Sequence, residues 1–164
     1  EGFHPKPVIS FEDPLPIGLE SLNENFYVSV NGNIQPQTII DGLNQHVPEG
    51  LRIIDCQLAP IKASRNTFSP STYLVTKKNG FFNEENVASF VKNSEFIVTR
   101  TNRKGKTRQF DLKEMVLKIT TLSSNKLKMT LRSEPGKTVR PFEVLEHIFE
   151  LSKEEIKQAA IVKI

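Results

Sequence analysis

The chain has 164 residues, a net charge of +3 and 37% hydrophobic residues, which is typical of a globular protein with enough apolar side chains for a core. Its single cysteine, Cys56, excludes an internal disulfide framework and a cysteine-based zinc or iron–sulfur site built from this chain alone. No apolar run approaches the ~20 residues of a membrane helix. Because no secretory signal is present either, we expect a cytoplasmic location and no membrane partner.

Proline and glycine specify the first twenty residues closely. The run Gly2-Phe3-His4-Pro5-Lys6-Pro7 precedes a strand predicted at Val8 to Phe11. Prolines 14 and 16 then bracket a loop that ends in Gly18-Leu19-Glu20-Ser21. Proline fixes φ and pushes the preceding residue out of the helical region, whereas glycine permits positive φ. The segment is therefore predicted to be a rigid, shaped loop around one short strand.

The next part of the chain indicates a β-β-α-β order. A strand is predicted at Glu24 to Val30, and a helix that starts at Pro36 and ends before Pro48-Glu49-Gly50. The apolar run Leu51 to Leu58 is predicted to be a buried strand, which makes Cys56 a small core residue.

Residues 72 to 164 indicate a longer α+β pattern. Asn83 is a good N-cap for a helix whose inner stripe is Val87, Phe90 and Val91. Leu127, Met129 and Leu131 alternate with polar residues, as in a strand with one buried face. The other elements are strands at 72–77, 95–101, 107–110, 115–122 and 160–164, a helical turn at 112–114, a helix from Pro141 and a capped helix from Ser152.

We therefore predict an α+β fold of two ferredoxin-like, or split β-α-β, halves. Residues 1–60 form an incomplete first half without its opening strand and helix. Residues 61–164 form the second half, with a basic β-ribbon at about 99–110 as an excursion. The incomplete half leaves an open sheet edge, so upstream residues, a partner chain or self-association should cover it. The chain also starts in mid-motif at Glu1, which indicates a fragment or a processed chain.

The opening motif resembles the signature of the radical-SAM-linked domain of unknown function. Members of that family carry a glycine-phenylalanine-histidine-proline-basic-proline motif, a serine-phenylalanine strand and a proline-rich loop that ends in glycine-hydrophobic-glutamate-serine. Here Glu12-Asp13 replaces residues that are usually small. Further matches are Pro48 to Ile53, Thr99 to Lys106 before Asp111, Val139-Arg140-Pro141 with Val144, Leu145 and Phe149, and Ile161-Val162-Lys163.

This resemblance implies an accessory role. Such domains lie behind or beside a cobalamin-dependent radical SAM protein, which is the expected partner, and often neighbour a ribonuclease of the E/G type. Full-length members begin with a strand and a helix that this chain lacks. A looser similarity to CRISPR-associated repeat-RNA endonucleases, which contain paired ferredoxin-like folds, adds RNA as a second expected partner. We expect no cofactor in this chain, because no metal-ligand cluster or phosphate-binding loop occurs.

His4 is a weak catalytic candidate, and Lys6 a candidate contact for phosphate. A histidine held in a rigid loop could act as a general acid or base, but its ring could equally pack in the loop and fix its shape. The stem of Lys6 could likewise pack over the loop prolines. His46 and His147 are expected to be structural or solvated.

The basic ribbon is the main candidate for nucleic-acid binding. Its cationic residues could follow a phosphate backbone, or they could keep a solvated hairpin from aggregating. Lys126, Lys128 and Arg132 add a basic sheet face, without the interleaved aromatic residues of sheets that stack bases. The ribbon candidates are Arg100, Arg103, Lys104, Lys106 and Arg108.

Three functions follow from these features. The first is an accessory module that binds RNA or positions a radical SAM partner acting on RNA. The second is a protein docking domain that binds no nucleic acid, and the third is an RNA-processing endonuclease that uses His4. The absence of a recognisable catalytic or metal constellation in the sequence favours a function that is not enzymatic.

Overall fold

The computed structural model describes residues 9–12, 14–59, 69–101, 104–134 and 137–164. It is an α+β structure, which confirms the predicted fold class. Its strands are β1 (Ile9–Phe11), β2 (Glu20–Ser21), β3 (Phe26–Val28), β4 (Ser69–Thr76), β5 (Ile97–Thr101), β6 (Thr107–Asp111), β7 (Val116–Ser123), β8 (Lys126–Glu134), β9 (Lys137–Thr138) and β10 (Ala160–Lys163). Its helices are α1 (Pro36–Asn44), α2 (Glu84–Lys92), α3 (Leu112–Met115), α4 (Pro141–Ile148) and α5 (Lys153–Gln158).

The chain divides into two compact units. The first contains residues 9–12 and 25–59 of the described chain, and the second contains residues 14–24 and 69–164. The boundary predicted at residue 60 and the ferredoxin-like identity of each half stay predictions. No helix in the described ranges is long and apolar enough to cross a membrane.

The second unit is built on a sheet with the order β2-β10-β4-β8-β7, and β9 extends β8. Strand β10 runs antiparallel to β4, β4 to β8 and β8 to β7, whereas β2 runs parallel to β10. Strand β8 therefore lies between β4 and β7, and β4 lies between β8 and β10. The connections through α2 (β4 to β7) and through α4 (β8 to β10) are interleaved in the sheet.

The core of the second unit lies on one face of this sheet. Leu127 and Met129 are fully buried and Leu131 nearly so, which confirms the alternation predicted for β8. The buried side chains of α4, Val144 and Leu145, belong to the same apolar cluster. The helices therefore cover the face that carries the odd-numbered residues of β8.

Local capping sets the helix starts as predicted. The Asn83 side chain accepts a hydrogen bond of 2.9 Å from Glu85 N at the start of α2. At α5, Ser152 and Glu155 form the predicted capping box. Pro141 occupies the first turn of α4, where its missing N–H costs nothing. One prediction for α2 is wrong, because Val91 is 66% exposed and only Phe90 of its apolar stripe is buried.

The strand predicted at Leu51 to Leu58 is absent. Residues 51–59 form no ladder with any described strand, and Leu58 is 93% exposed. The side-chain amide of Asn44 bonds the N–H and the carbonyl of Ile53, at 2.8 and 3.0 Å, in place of a neighbouring strand. Cys56 is half-buried, so its assignment to a core strand is also wrong. An apolar run forms a strand only where a pairing edge is available to it.

The first unit has little strand pairing and little burial. Strands β1 and β3 pair over three residues, so the strand predicted at Glu24 to Val30 is shorter than expected. Helix α1 begins at Pro36 as predicted, but none of its residues is buried. No side chain described in this unit is fully buried.

Residues 14–24 behave differently from the prediction that they simply connect two strands. Glu20 and Ser21 pair with Val162 and Lys163 of β10. Gly18 has φ +91°, which a glycine adopts without strain, and Leu19 enters the core of the second unit. The end of the proline-bracketed loop is therefore an edge strand of the main sheet.

Candidate nucleic-acid interface

The ribbon β5–β6 projects from a fixed base. Its strands pair from Ile97 with Asp111 to Thr101 with Thr107, as the sequence predicts. The Asp111 carboxylate accepts hydrogen bonds from Phe96 N at 2.8 Å and from Lys113 N at 2.9 Å, and so joins the ribbon to α3. The predicted helical turn after the ribbon thus serves to anchor it.

Arg100 contacts three other residues through its guanidinium. Its Nε and Nη2 donate to the two carboxylate oxygens of Glu143, both at 2.7 Å. Nη2 also donates to the carbonyl of Thr138 at 2.8 Å, and the guanidinium lies 4.8 Å from the ring centre of Phe110. These contacts use the donors of Nε and Nη2 and one face of the guanidinium, so Arg100 joins the ribbon to α4.

The other candidates on the ribbon are placed differently from Arg100. Lys104, Lys106 and Arg108 are exposed along its outer part. Each of them also has an interaction within the protein, so the ribbon by itself is a modest anion site. Arg103 lies outside the described residues, as do His4 and Lys6.

A second cationic surface lies on the outer face of the main sheet. We call it the lysine face. Register places Lys118 opposite Thr130, Thr120 opposite Lys128, and Thr130 opposite Thr72. Residues directly opposite in antiparallel strands point to the same side, so these side chains share one face, away from the core. The face consists of Thr72, Leu74, Thr76, Lys118, Thr120, Lys126, Lys128, Thr130 and Arg132, with Ala160 and Val162 of β10 alongside.

Three lysines of this face carry charge that the protein does not neutralise. Lys118, Lys126 and Lys128 are exposed, and no side chain in the described ranges forms an ion pair with them. Arg132 is half-buried and does interact within the protein. The acidic side chain described on this side of the sheet, Glu20, lies on β2, three strands from β8 or about 14 Å away.

The threonines give the lysine face its hydrogen-bonding groups. The hydroxyls of Thr72 and Thr130 lie 3.1 Å apart and bond each other across β4 and β8. Each hydroxyl has one proton and two lone pairs, so this bond leaves further acceptor or donor capacity at the surface. The face thus combines cations with small hydroxyl groups, a chemistry that suits phosphate and sugar.

Sequence reasoning found only part of this surface. It identified Lys126, Lys128 and Arg132 from the alternation of β8. The same alternation also places Thr130 on this face. Sequence reasoning missed Thr72, Lys118 and Thr120, because their membership depends on the pairing of β4 and β7 with β8. The available signal was the short gap, Ser123 to Asn125, between the strand predicted at 115–122 and the alternating strand after it, since the register of these two strands places Lys118 beside Thr130.

A polar cluster joins the end of the opening loop to the last strand. Glu24 Oε1 accepts a hydrogen bond from Ser21 Oγ at 2.7 Å and pairs with Lys163 Nζ at 3.0 Å. Leu22 N donates to the Lys163 carbonyl at 2.9 Å. These contacts join residues 21 to 24 to Lys163 of β10, so the cluster tethers β2 to the edge of the main sheet.

The structure describes two of the three histidines, His46 and His147. His46 Nδ1 lies 2.8 Å from the Gly42 carbonyl at the end of α1, as expected for a structural histidine, and His147 is half-buried on α4. Within the described ranges, no three histidine, cysteine, aspartate or glutamate side chains lie close enough to hold a metal ion.

Comparison with known proteins identifies one family. A family model described as an uncharacterized protein conserved in bacteria (DUF2344) matches residues 1–141. The matched range includes the opening motif, the ribbon and the residues of the lysine face on β4, β7 and β8, and it ends at the first residue of α4. No curated protein matches the chain.

Proposed function

This chain belongs to that family of uncharacterized proteins conserved in bacteria, and we propose that it is an accessory module that binds RNA. The observation that carries the proposal is the lysine face, where three exposed lysines without an ion pair stand among threonines on the outer side of the sheet. The exposed cations of the ribbon, Lys104, Lys106 and Arg108, extend the same charge.

The ribbon and the lysine face belong to the same unit. Arg100 bonds the carbonyl of Thr138, and Thr138 pairs with Ser133, the residue after Arg132 on β8. Arg100 also bonds Glu143 of α4, which lies on the helix-covered side of the sheet. The ribbon is therefore a second cationic element of this unit, and the proposal rests on the lysine face alone.

The proposed partner is a cobalamin-dependent radical SAM protein that acts on RNA. The motifs from Gly2 to Ser21 and from Thr99 to Lys106 support this, because they resemble the domain that accompanies such enzymes. The looser similarity to CRISPR-associated repeat-RNA endonucleases points to RNA as well. In this role the module holds the RNA while the partner supplies the chemistry.

Fluorescence anisotropy with labelled bulk tRNA at two salt concentrations tests the proposal. Binding should weaken as salt rises, because lysines that contact phosphate release counterions. The variant Lys118→Gln/Lys126→Gln/Lys128→Gln should lose about tenfold or more in affinity, and its log–log salt slope should become shallower by about 2.

The matched control removes the same charge elsewhere. Lys78, Lys92 and Lys153 are exposed and lie outside the lysine face. Their triple glutamine variant should keep most of the affinity of the native protein. Equal losses of affinity in both variants would mean that binding depends on the net charge of the protein and not on the lysine face. An absence of salt-dependent binding by the native protein would refute the proposal.

A second candidate function is docking to a protein. It rests on the apolar side chains of the first unit, where Leu51, Ile54 and Leu58 are 57%, 73% and 93% exposed. The variant Ile54→Ser/Leu58→Ser should then lose binding to the purified radical SAM protein in calorimetry, in the absence of nucleic acid. Unchanged binding would mean that this surface does not contact the radical SAM protein.

The third candidate, an RNA-processing endonuclease, depends on His4, which lies outside the described residues. Its test is cleavage of RNA by the native protein and its loss in His4→Ala.

A further inference from the structure

We infer that the RNA bound by the lysine face is double-helical and is recognised through its backbone and not its bases. This inference rests on the proposed function and specifies the class of RNA. The first support is the composition of the face. Its eleven positions on β4, β7, β8 and β10 hold lysine, arginine, threonine and small or aliphatic residues, and none is aromatic.

Proteins that bind single strands on a sheet stack bases on aromatic side chains. The aromatic residue of the central strand β4, Tyr73, points the other way and is 5% exposed. Phe110 of the ribbon lies under the guanidinium of Arg100. Phe81 is 74% exposed, but it follows β4 in the connection to α2 and is not on the face. The lysine face therefore offers no stacking platform for unpaired bases.

The second support is the rigidity and spacing of the cations. Lys118 lies opposite Thr130 on the adjacent strand β7, which places it diagonally about 8 Å from Lys128. Lys126 and Lys128 are two residues apart on β8, or about 6.8 Å. That step is of the order of the separation of successive phosphates along one strand. A sheet with a packed core holds such spacing constant, which suits the fixed backbone of a double helix better than a flexible single strand.

The third support is the row of hydroxyl groups. Thr72, Thr120 and Thr130 lie between and beside the lysines. The wide, shallow minor groove of an RNA duplex displays 2′-hydroxyls, which such side chains can bond. A DNA duplex has no 2′-hydroxyl, so the face should prefer duplex RNA to duplex DNA.

The experiment compares five nucleic acids on the intact protein at one salt concentration. They are an RNA duplex of about 20 base pairs, each of its strands alone, a duplex of scrambled sequence and the DNA duplex of the same sequence. The RNA duplex should bind about tenfold more tightly than either strand, and the scrambled duplex within about twofold of it. The DNA duplex should bind more weakly than both RNA duplexes.

Two variants test whether the side chains of the lysine face bind the duplex and favour RNA over DNA. The lysine triple variant should weaken binding of both RNA duplexes equally. Thr120→Val keeps the charge and removes one hydroxyl, so it should narrow the difference between RNA and DNA duplexes and leave the salt slope unchanged. Thermal unfolding followed by circular dichroism confirms that each variant is folded.

The possible results separate this inference from the proposed function. Single strands that bind as tightly as the duplex would overturn the inference and leave RNA binding intact. Strong dependence on sequence, or equal affinity for duplex DNA, would overturn the backbone and hydroxyl argument. Failure of every RNA to bind would overturn the proposed function itself.

Discussion

Glu155 is an exposed carboxylate that the structure nevertheless holds in place. Its Oε2 accepts hydrogen bonds from Ser152 N and Ser152 Oγ, both at 2.9 Å, and its Oε1 lies 3.4 Å from Lys77 Nζ. The backbone N–H of Ser152, then its hydroxyl, then Lys77 lower the pKa of Glu155 below its usual value of 4.5. The side chain of Lys77 is 8% exposed and also reaches the Phe81 carbonyl, so one carboxylate links α5 to the end of β4.

Because the pKa of Glu155 is lowered, the stability that its carboxylate contributes to the fold depends on pH. A carboxylate whose pKa is lower in the folded state stabilises the protein above its unfolded pKa, and this stabilisation is lost as pH falls through the folded pKa. Glu155→Gln should therefore be less stable than the native protein at neutral pH, and the difference should shrink below pH 4.5. Urea unfolding followed by circular dichroism at several pH values measures it. A difference that is constant with pH would contradict the assignment.

Two leucines of the β7–β8 hairpin provide a matched pair for packing. Leu127 is fully buried and Leu122 is 54% exposed. Leu127→Ala should destabilise the protein by about 2–5 kcal/mol, because it leaves a cavity in a core that cannot fully collapse. Leu122→Ala should cost about 0.5 kcal/mol or less. Urea unfolding measures both changes, and similar losses would mean that the core does not lie on the Leu127 side of the sheet.

Among the elements, the ribbon is held at its base by a contact with α4 that is distant in the sequence. Val98 on β5 is buried at its base, and Arg100 joins it to Glu143 on α4. A two-stranded hairpin is marginal on its own in water, so this base supplies much of its order. The ribbon is thus presented to solvent by a fixed support, which suits a binding element.

A double-mutant cycle at Arg100 and Glu143 tests that support. Arg100→Lys loses the forked geometry, and Glu143→Gln loses the charge while keeping the shape. The two changes should be non-additive by about 0.5–1 kcal/mol, a modest value because the Arg100 side chain is 46% exposed.

Hydrogen exchange should show the local effect more clearly. Each variant should speed the exchange of ribbon amides near Val98 and Phe110, whereas amides of β4 should stay protected. Additive effects together with unchanged ribbon exchange would mean that the pair does not anchor the ribbon.

At the scale of the whole molecule, the two units differ in what holds them together. The apolar core lies in the second unit, whereas no side chain described in the first unit is fully buried. The first unit relies on a three-residue pairing of β1 with β3, on α1 and on the bonds from Asn44 to Ile53. Buried apolar area is the main favourable term in folding, so the first unit has little stability of its own.

This difference predicts the pattern of native-state hydrogen exchange. Amides of α1 should exchange by local opening, about a hundredfold or more faster than those of β4 and β8, whose opening approaches global unfolding. Mass spectrometry of exchanged peptides measures both units in one sample. If the proposed radical SAM protein docks on Ile54 and Leu58, its addition should slow exchange in the first unit alone. Equal protection in both units would contradict the argument.

The sequence predicted those features that depend on neighbouring residues. Pro36, Asn83, Pro141 and the Ser152 capping box placed four helices, and the alternation around Met129 placed β8 with its buried face. Such signals act within one or two turns of the chain. The α+β class and the ribbon follow from them, as does the basic character of β8.

Tertiary structure decided which of these elements have partners. Leu51 to Leu58 has the composition of a buried strand, yet it pairs with no described strand, and Glu20-Ser21 in a proline-rich loop pairs with β10. Arg100 was predicted as a phosphate contact, and that stays a prediction; no pattern in the sequence indicates its ion pair with Glu143, 43 residues away. Lys118 joined the lysine face only through its register with β8. Capping and alternation are local and readable from sequence, whereas ladder pairing and ion pairing depend on residues that only the folded chain brings together.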